Sequence, residues 1–178
     1  MRNNICGLRN FIAQLLFKGT VLVLALFISS CGYRVVGSSL LPFDSIKIAH
    51  VENKTYEPRI EDKLHLALSK EFTNLGIAVN AAGFKVVLEA VVTNFKLGAV
   101  GAVDEIIKEQ ELIIITDIRI LENGNISEFK GVRSPIKITY QTTGTVSEAA
   151  ALKDAAIDKA CREIAKEIVG RIILKYAK

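Results

Sequence analysis

The chain has 178 residues, 50% hydrophobic and 24% charged, with a formal net charge of +4. Arg2, Arg9 and Lys18 precede Cys31 and no acid does, so of 23 cations and 19 anions the chain from Cys31 onward keeps 20 and 19, a net of +1. That balance excludes the broad basic footprint of a nucleic-acid binder, and residues 31–178 are enough for one domain with its own core.

The first organised stretch is Lys18 to Gly37. A cation leads into the apolar run Val21–Ile28, which narrows to Ser29-Ser30-Cys31. A basic lead, an apolar core of about 7–15 residues and small residues before the cut make a secretory signal. Ile28-Ser29-Ser30-Cys31 resembles the lipobox of bacterial lipoproteins. The resemblance implies that residues 1–30 are removed as a signal peptide and that residues 31–178 are anchored through acyl chains on Cys31. Several chains anchor stably where one does not, at roughly 0.8 kcal/mol per buried methylene. A transmembrane helix needs about 20 apolar residues, more than Lys18 and Ser29 bracket. Gly32 stands where an aspartate would resemble an inner-membrane retention signal, which points by resemblance to the periplasmic side of the outer membrane. Cys6 leaves with the signal and Cys31 is taken by lipid, so Cys161 has no partner within the mature chain. Its place at apolar helical spacing predicts a buried, inert thiol.

Along the mature chain, Tyr33–Val36 is short and β-prone, and Gly37-Ser38-Ser39 with Pro42 breaks regular structure. Ser45–Val51 alternates as a strand. From Pro58 to Leu75 the period becomes helical, with Ile60, Leu64, Ala67, Leu68, Phe72 and Leu75 on one stripe and Gly76 past its end. Ile77–Asn80 reads as a brief extended piece. Phe84–Phe95 forms a long strand with Phe84, Val86, Leu88, Ala90 and Val92 on one face. Gly98, Gly101 and Asp104 mark a connection. A second long strand, about Glu109–Leu121, turns at Asn123-Gly124 into a return strand over Ile126–Arg133. Pro135 interrupts that strand, with pairing resumed over Ile136–Thr142. The closing helix spans about Ser147–Tyr176, its stripe made by Ala149, Leu152, Ala156, Ala160, Ile164, Ile168 and Ile172.

The expected fold is an α+β two-layer sandwich, with two amphipathic helices packed on one face of a mainly antiparallel sheet of about four strands. The second faces of the long strands are not cleanly polar. Val87 and Val91, and Ile113 and Ile115, point away from the helix side. β-Branched residues suit exposed strands in any case, but the same residues are the candidate partner interface.

No constellation for catalysis assembles. His50 and His65 are not at metal-ligand spacing, no glycine-rich loop precedes a lysine, and Ser38, Ser39 and Ser134 have no evident base, so neither an enzyme nor a cofactor is expected. Lys130, Arg133 and Lys137 gather around Gly131 and Pro135. They form a candidate anion site for a phosphate-bearing lipid, against the plainer reading of a solvated strand rim.

Cys31-Gly32-Tyr33-Arg34-Val35-Val36-Gly37 with Leu41-Pro42 resembles the mature start of the LPS-assembly lipoprotein family, LptE. Val51-Glu52-Asn53-Lys54-Thr55-Tyr56-Glu57-Pro58-Arg59-Ile60-Glu61, followed by Leu64, Ala67, Leu68, Glu71 and Phe72, looks like the same family. The likeness covers the first 40 or so mature residues, and beyond them only element order and length. It implies a two-helix, four-stranded lipoprotein seated in a large outer-membrane barrel, the LPS-assembly protein LptD. There the lipoprotein acts as a plug, supports barrel assembly and binds lipopolysaccharide. The alternative kept beside it is a periplasm-facing lipoprotein subunit of another envelope complex.

Overall fold

Alternation of buried and open positions along two long strands sets the architecture. The computed structural model describes residues 41–103, 106–142 and 144–176. Its elements are β1 (Ser45–Ile48), β2 (Glu52–Asn53), α1 (Ile60–Asn74), β3 (Ala78–Val79), β4 (Val86–Val103), β5 (Ile106–Glu122), β6 (Asn125–Val132), β7 (Ile138–Gln141) and α2 (Val146–Tyr176). All of them fall in the unit Val36–Lys178. The signal segment, Cys31 and the stretch Tyr33–Val36 lie outside the described residues.

β4 and β5 pair antiparallel along their length. Val86, Leu88, Ala90 and Val92 of β4 share one buried layer with Leu112, Ile114, Ile118 and Ile120 of β5. The helices close over that layer through Leu64, Leu68 and Phe72 of α1 and Ile164, Ile168 and Ile172 of α2, giving one continuous core. Each such side chain stabilises the fold by roughly 1.5–3 kcal/mol on burial. Among the described residues, no helix is long and apolar enough to cross a membrane.

The α+β class is as expected, but the sheet is larger and mixed. It has seven strands among the described residues rather than about four. β1 runs parallel to β3 and β4, and β2 runs parallel to β4. The antiparallel pairs are β4 with β5, and β5 with both β6 and β7. Parallel neighbours follow from α1, because a strand that leads into a crossover helix is rejoined by a strand running the same way. β2 and β3 have two residues each, too few for a period of two to register.

The hairpin is also longer than expected. Gly98 and Gly101 are not a connection but part of β4, which runs on to Val103. Register shifts at Ala99/Gly101 and Gly101/Ala102 absorb the irregularity as bulges. Phe84 lies before the strand and is exposed. Asn123 and Gly124 both take positive φ, 48° and 81°, as the primed hairpin turn requires.

Two local devices fix the helix starts. Asn53 accepts from the Thr55 amide and donates through Nδ2 to the Glu57 carbonyl and the Glu61 carboxylate, each within 2.9 Å. Arg59 then sits at φ 63°, so α1 begins at Ile60 and not at the proline. Before α2, Thr145 and Glu148 form a capping box. Glu148 Oε2 accepts from the Thr145 amide at 2.7 Å, while Thr145 Oγ1 accepts from the Glu148 amide at 3.3 Å.

Candidate functional site

The edge of β5 facing β6 and β7 is interrupted. β6 leaves it at Val132, opposite Thr116, and β7 rejoins it at Ile138, opposite Leu112. Among the described residues, Ile113 to Ile115 therefore have no ladder partner on that side. The loop that bypasses them contains Pro135, which cannot donate to a ladder. Ser134 Oγ ties the loop together, donating to the Ile136 carbonyl at 2.7 Å and accepting from the Ile136 amide at 3.2 Å.

The detour opens a cleft of about 240 Å³. Leu112, Ile113, Ile114, Ile136 and Ala160 give it apolar walls, with Glu111, Arg133 and Lys137 as its charged groups. Arg133 is exposed and has no ion-pair partner among the described residues. Lys137 stands 3.8 Å from Glu111, with its side chain about half exposed. An apolar cleft edged by a free guanidinium and a loosely paired ammonium can hold an amphiphile whose head is anionic.

Of the three candidate cations, the structure thus brings Arg133 and Lys137 to one cleft. Lys130 does not line it. That side chain is exposed on β6, 3.9 Å from Glu128. The apolar walls contributed by Ile136 and Ala160 went unread in sequence. Their one signal was Pro135, which foretold a break in pairing without saying what the break would uncover.

The candidate interface residues Val87, Val91, Ile113 and Ile115 are all half-buried. They do not form one apolar patch. Val87 lies opposite Leu121, and Leu121 opposite Ile126 of β6, making an apolar row across three strands. The neighbouring row is charged. Arg119 joins Glu89 at 3.3 Å and Glu128 at 3.1 Å. Beyond it, Val91 faces Asp117, and past a bulge Ile115 and Ile113 face Asn94 and Lys96. Ile113 also lines the cleft.

Cys161 is buried on the core face of α2, and burial pushes its thiol up to about 12. Among the described residues, no group of three or more His, Cys, Asp or Glu side chains is placed to hold a metal ion.

The family model for LptE, Lipopolysaccharide-assembly, matches residues 43–173. No curated protein sequence matches the chain. Among solved structures, the chain is similar to the rare lipoprotein B of Shewanella oneidensis at 13% identity and TM-score 0.50, over 72% of this chain and 95% of that one. It is similar to a putative lipoprotein of Caulobacter crescentus at 18% identity and TM-score 0.48, over 72% and 91% of the two chains. A protein of Xanthomonas campestris, XCC0632, matches at 17% identity and TM-score 0.49, over 79% and 91%. At 13% identity the Shewanella structure speaks for the fold alone.

Proposed function

The chain belongs to the LptE, lipopolysaccharide-assembly, family, and from that premise we propose a non-enzymatic lipoprotein of the outer membrane, anchored through Cys31 on the periplasmic side. Its partner is a large LptD-like β-barrel, which it plugs and helps to assemble. Its ligand is lipopolysaccharide in transit to the cell surface, taken at the cleft between β5 and the Ser134–Lys137 loop. The observation that carries this reading is the family match across residues 43–173. The cleft adds a chemical fit, since lipopolysaccharide combines phosphates for Arg133 and Lys137 with acyl chains for Ile113, Ile114 and Ile136.

Affinity purification of the detergent-solubilised full chain from native envelopes tests the partnership. A near-stoichiometric large protein whose gel mobility changes on boiling is the expected companion. Recovery alone, or with soluble periplasmic subunits, overturns the barrel reading.

A further inference from the structure

The described chain starts at one end of the domain. Leu41 and Phe43 are buried there, and the Phe43 ring meets Tyr176, in the last turn of α2, edge-on at 5.6 Å. Tyr176 donates to Glu122 at 2.5 Å, and Glu122 lies opposite Val86 at the start of β4. Val86 in turn pairs with Ile46 of β1. The starts of β1 and β4, the Asn123-Gly124 turn and the end of α2 are thus gathered at one place. Cys31 stands only ten residues before Leu41 in sequence.

This end displays apolar side chains and unpaired cations together. Phe84, just before β4, is 40% exposed, Ile126, just after the turn, 54%, and Leu174, two residues before Tyr176, 75%. Behind Ile126 the apolar row continues through Leu121 and Val87, until Glu128, Arg119 and Glu89 close it. Among the described residues, Lys47, Lys85 and Lys175 have no ion-pair partner. Lys47 Nζ lies 5.2 Å from the centre of the Phe84 ring, and Lys175 Nζ 4.9 Å from that of Tyr176. Of the acids here, Glu122 is engaged by Tyr176, which leaves the exposed Asp44. Apolar tips beside ammonium groups suit a lipid interface, where the tips enter the acyl region and the ammonium groups stay with the phosphates.

We infer that this end of the domain docks on the anionic phospholipid surface that receives the Cys31 acyl chains. Phe84, Ile126 and Leu174 enter that surface, and Lys47, Lys85 and Lys175 meet its phosphates. This rests on the acyl anchor proposed above, and not on the barrel. Chain length selects the occupant first. Ten residues span at most about 36 Å, whereas the 31 residues of α2 extend about 46 Å. A chain held at Cys31 therefore cannot stand on the bilayer by the other end of that helix. Charge selects it second, because three free lysines face one free carboxylate, and anionic lipid draws juxtamembrane lysines. A second copy seated on the same patch would set lysine against lysine.

The chain has no tryptophan, so a single introduced one reports its own surroundings. The test places the acylated chain in vesicles of phosphatidylethanolamine and phosphatidylglycerol whose acyl chains carry bromine, a contact quencher. Phe84→Trp, Ile126→Trp and Leu174→Trp are expected to lose at least half their fluorescence. Leu152→Trp, exposed on the same helix about 33 Å from Leu174, is expected to lose less than a tenth. All four sites are exposed, and circular dichroism confirms the fold. Equal quenching at all four sites, or none at any, overturns the inference. Lys47→Glu with Lys85→Glu is expected to halve the quenching of Ile126→Trp at least, while Lys130→Glu leaves it unchanged. Equal loss in both overturns the patch in favour of net charge. Undiminished quenching in phosphatidylcholine vesicles overturns the anionic surface. If mass spectrometry finds Cys31 without acyl chains, the anchor reading itself fails, an outcome distinct from an acylated chain with unquenched reporters.

Discussion

Cys161 shows how burial decides whether a residue is chemistry or packing. A thiol reacts as thiolate, and desolvation in the core is the main cause that holds this one protonated up to about 12. With Cys6 and Cys31 replaced by Ser, a thiol probe at pH 8 is expected to leave Cys161 unlabelled until denaturant is added; rapid labelling of the native chain would refute this. The same shift has a sign for stability. A pKa raised on folding supplies stability that is full below the unfolded value and is lost as pH climbs through the folded one. The ordinary value for a cysteine thiol is 9.0, so this contribution is lost above it. Tyr140 and Tyr176 are raised by burial, and Tyr176 further by its hydrogen bond to Glu122. Burial alone would lower Lys63, but the hydrogen bonds and charges of Asp158 and Asp154 outweigh it and hold it raised. All four act in one direction, so urea midpoints are expected to stay flat from pH 7 to 9 and fall steeply above. Cys161→Ala is expected to blunt that fall, and an unchanged alkaline slope in the variant would count against it.

The elements show which sequence signals translate directly into geometry. The Thr145–Glu148 box is one, and Thr145→Ala is expected to cost about 1 kcal/mol at pH 7 in urea unfolding. Hydrogen bonds from Thr145 hold the Glu148 carboxyl below its usual range, so its part of the cap is present above that range and fades as acid protonates it. The gap between wild type and variant should therefore narrow by pH 3; a constant gap would mean that the carboxylate contributes nothing. Both helices, the two long strands and the Asn123-Gly124 turn were readable because each repeats or punctuates over enough residues. The Asn53, Thr55 and Pro58 pattern that suggested the family proves to be a local fastener ahead of α1, with its polar groups turned on one another. What stayed hidden depends on long-range pairing. Two-residue strands have no period, and the glycines at 98 and 101 look the same in a bulged strand as in a loop. Leu152 falls on the apolar stripe of α2 yet is exposed, while burial is continuous only along the stripe from Ala156 onward. The cleft was half legible, through its two cations, because its walls come from three separate elements.

At the scale of the whole molecule, near-neutrality makes recognition of an anion a local matter. With a net of +1 from Cys31 onward, no long-range field gathers phosphate, and affinity must come from groups next to the cleft. Arg133→Glu and Lys137→Glu should then each weaken lipopolysaccharide binding by about tenfold, the scale of one charge-assisted hydrogen bond. Lys130→Glu should change it less than about threefold, because that exposed side chain does not line the cleft and is 3.9 Å from Glu128, and a fully solvated charge contributes little. Glu111 supplies the opposite sign. It draws Lys137 from 3.8 Å away, so Glu111→Gln should free the ammonium and tighten binding. Titrating labelled lipopolysaccharide into the four variants, with circular dichroism to confirm the fold, distinguishes a placed site from general attraction. Equal losses for Lys130→Glu and Arg133→Glu would assign binding to charge alone and remove the cleft from it. Loss confined to Arg133 and Lys137, with gain at Glu111, would fix the ligand's head at the place where Pro135 parts β6 from β7 and its acyl chains against the uncovered edge of β5.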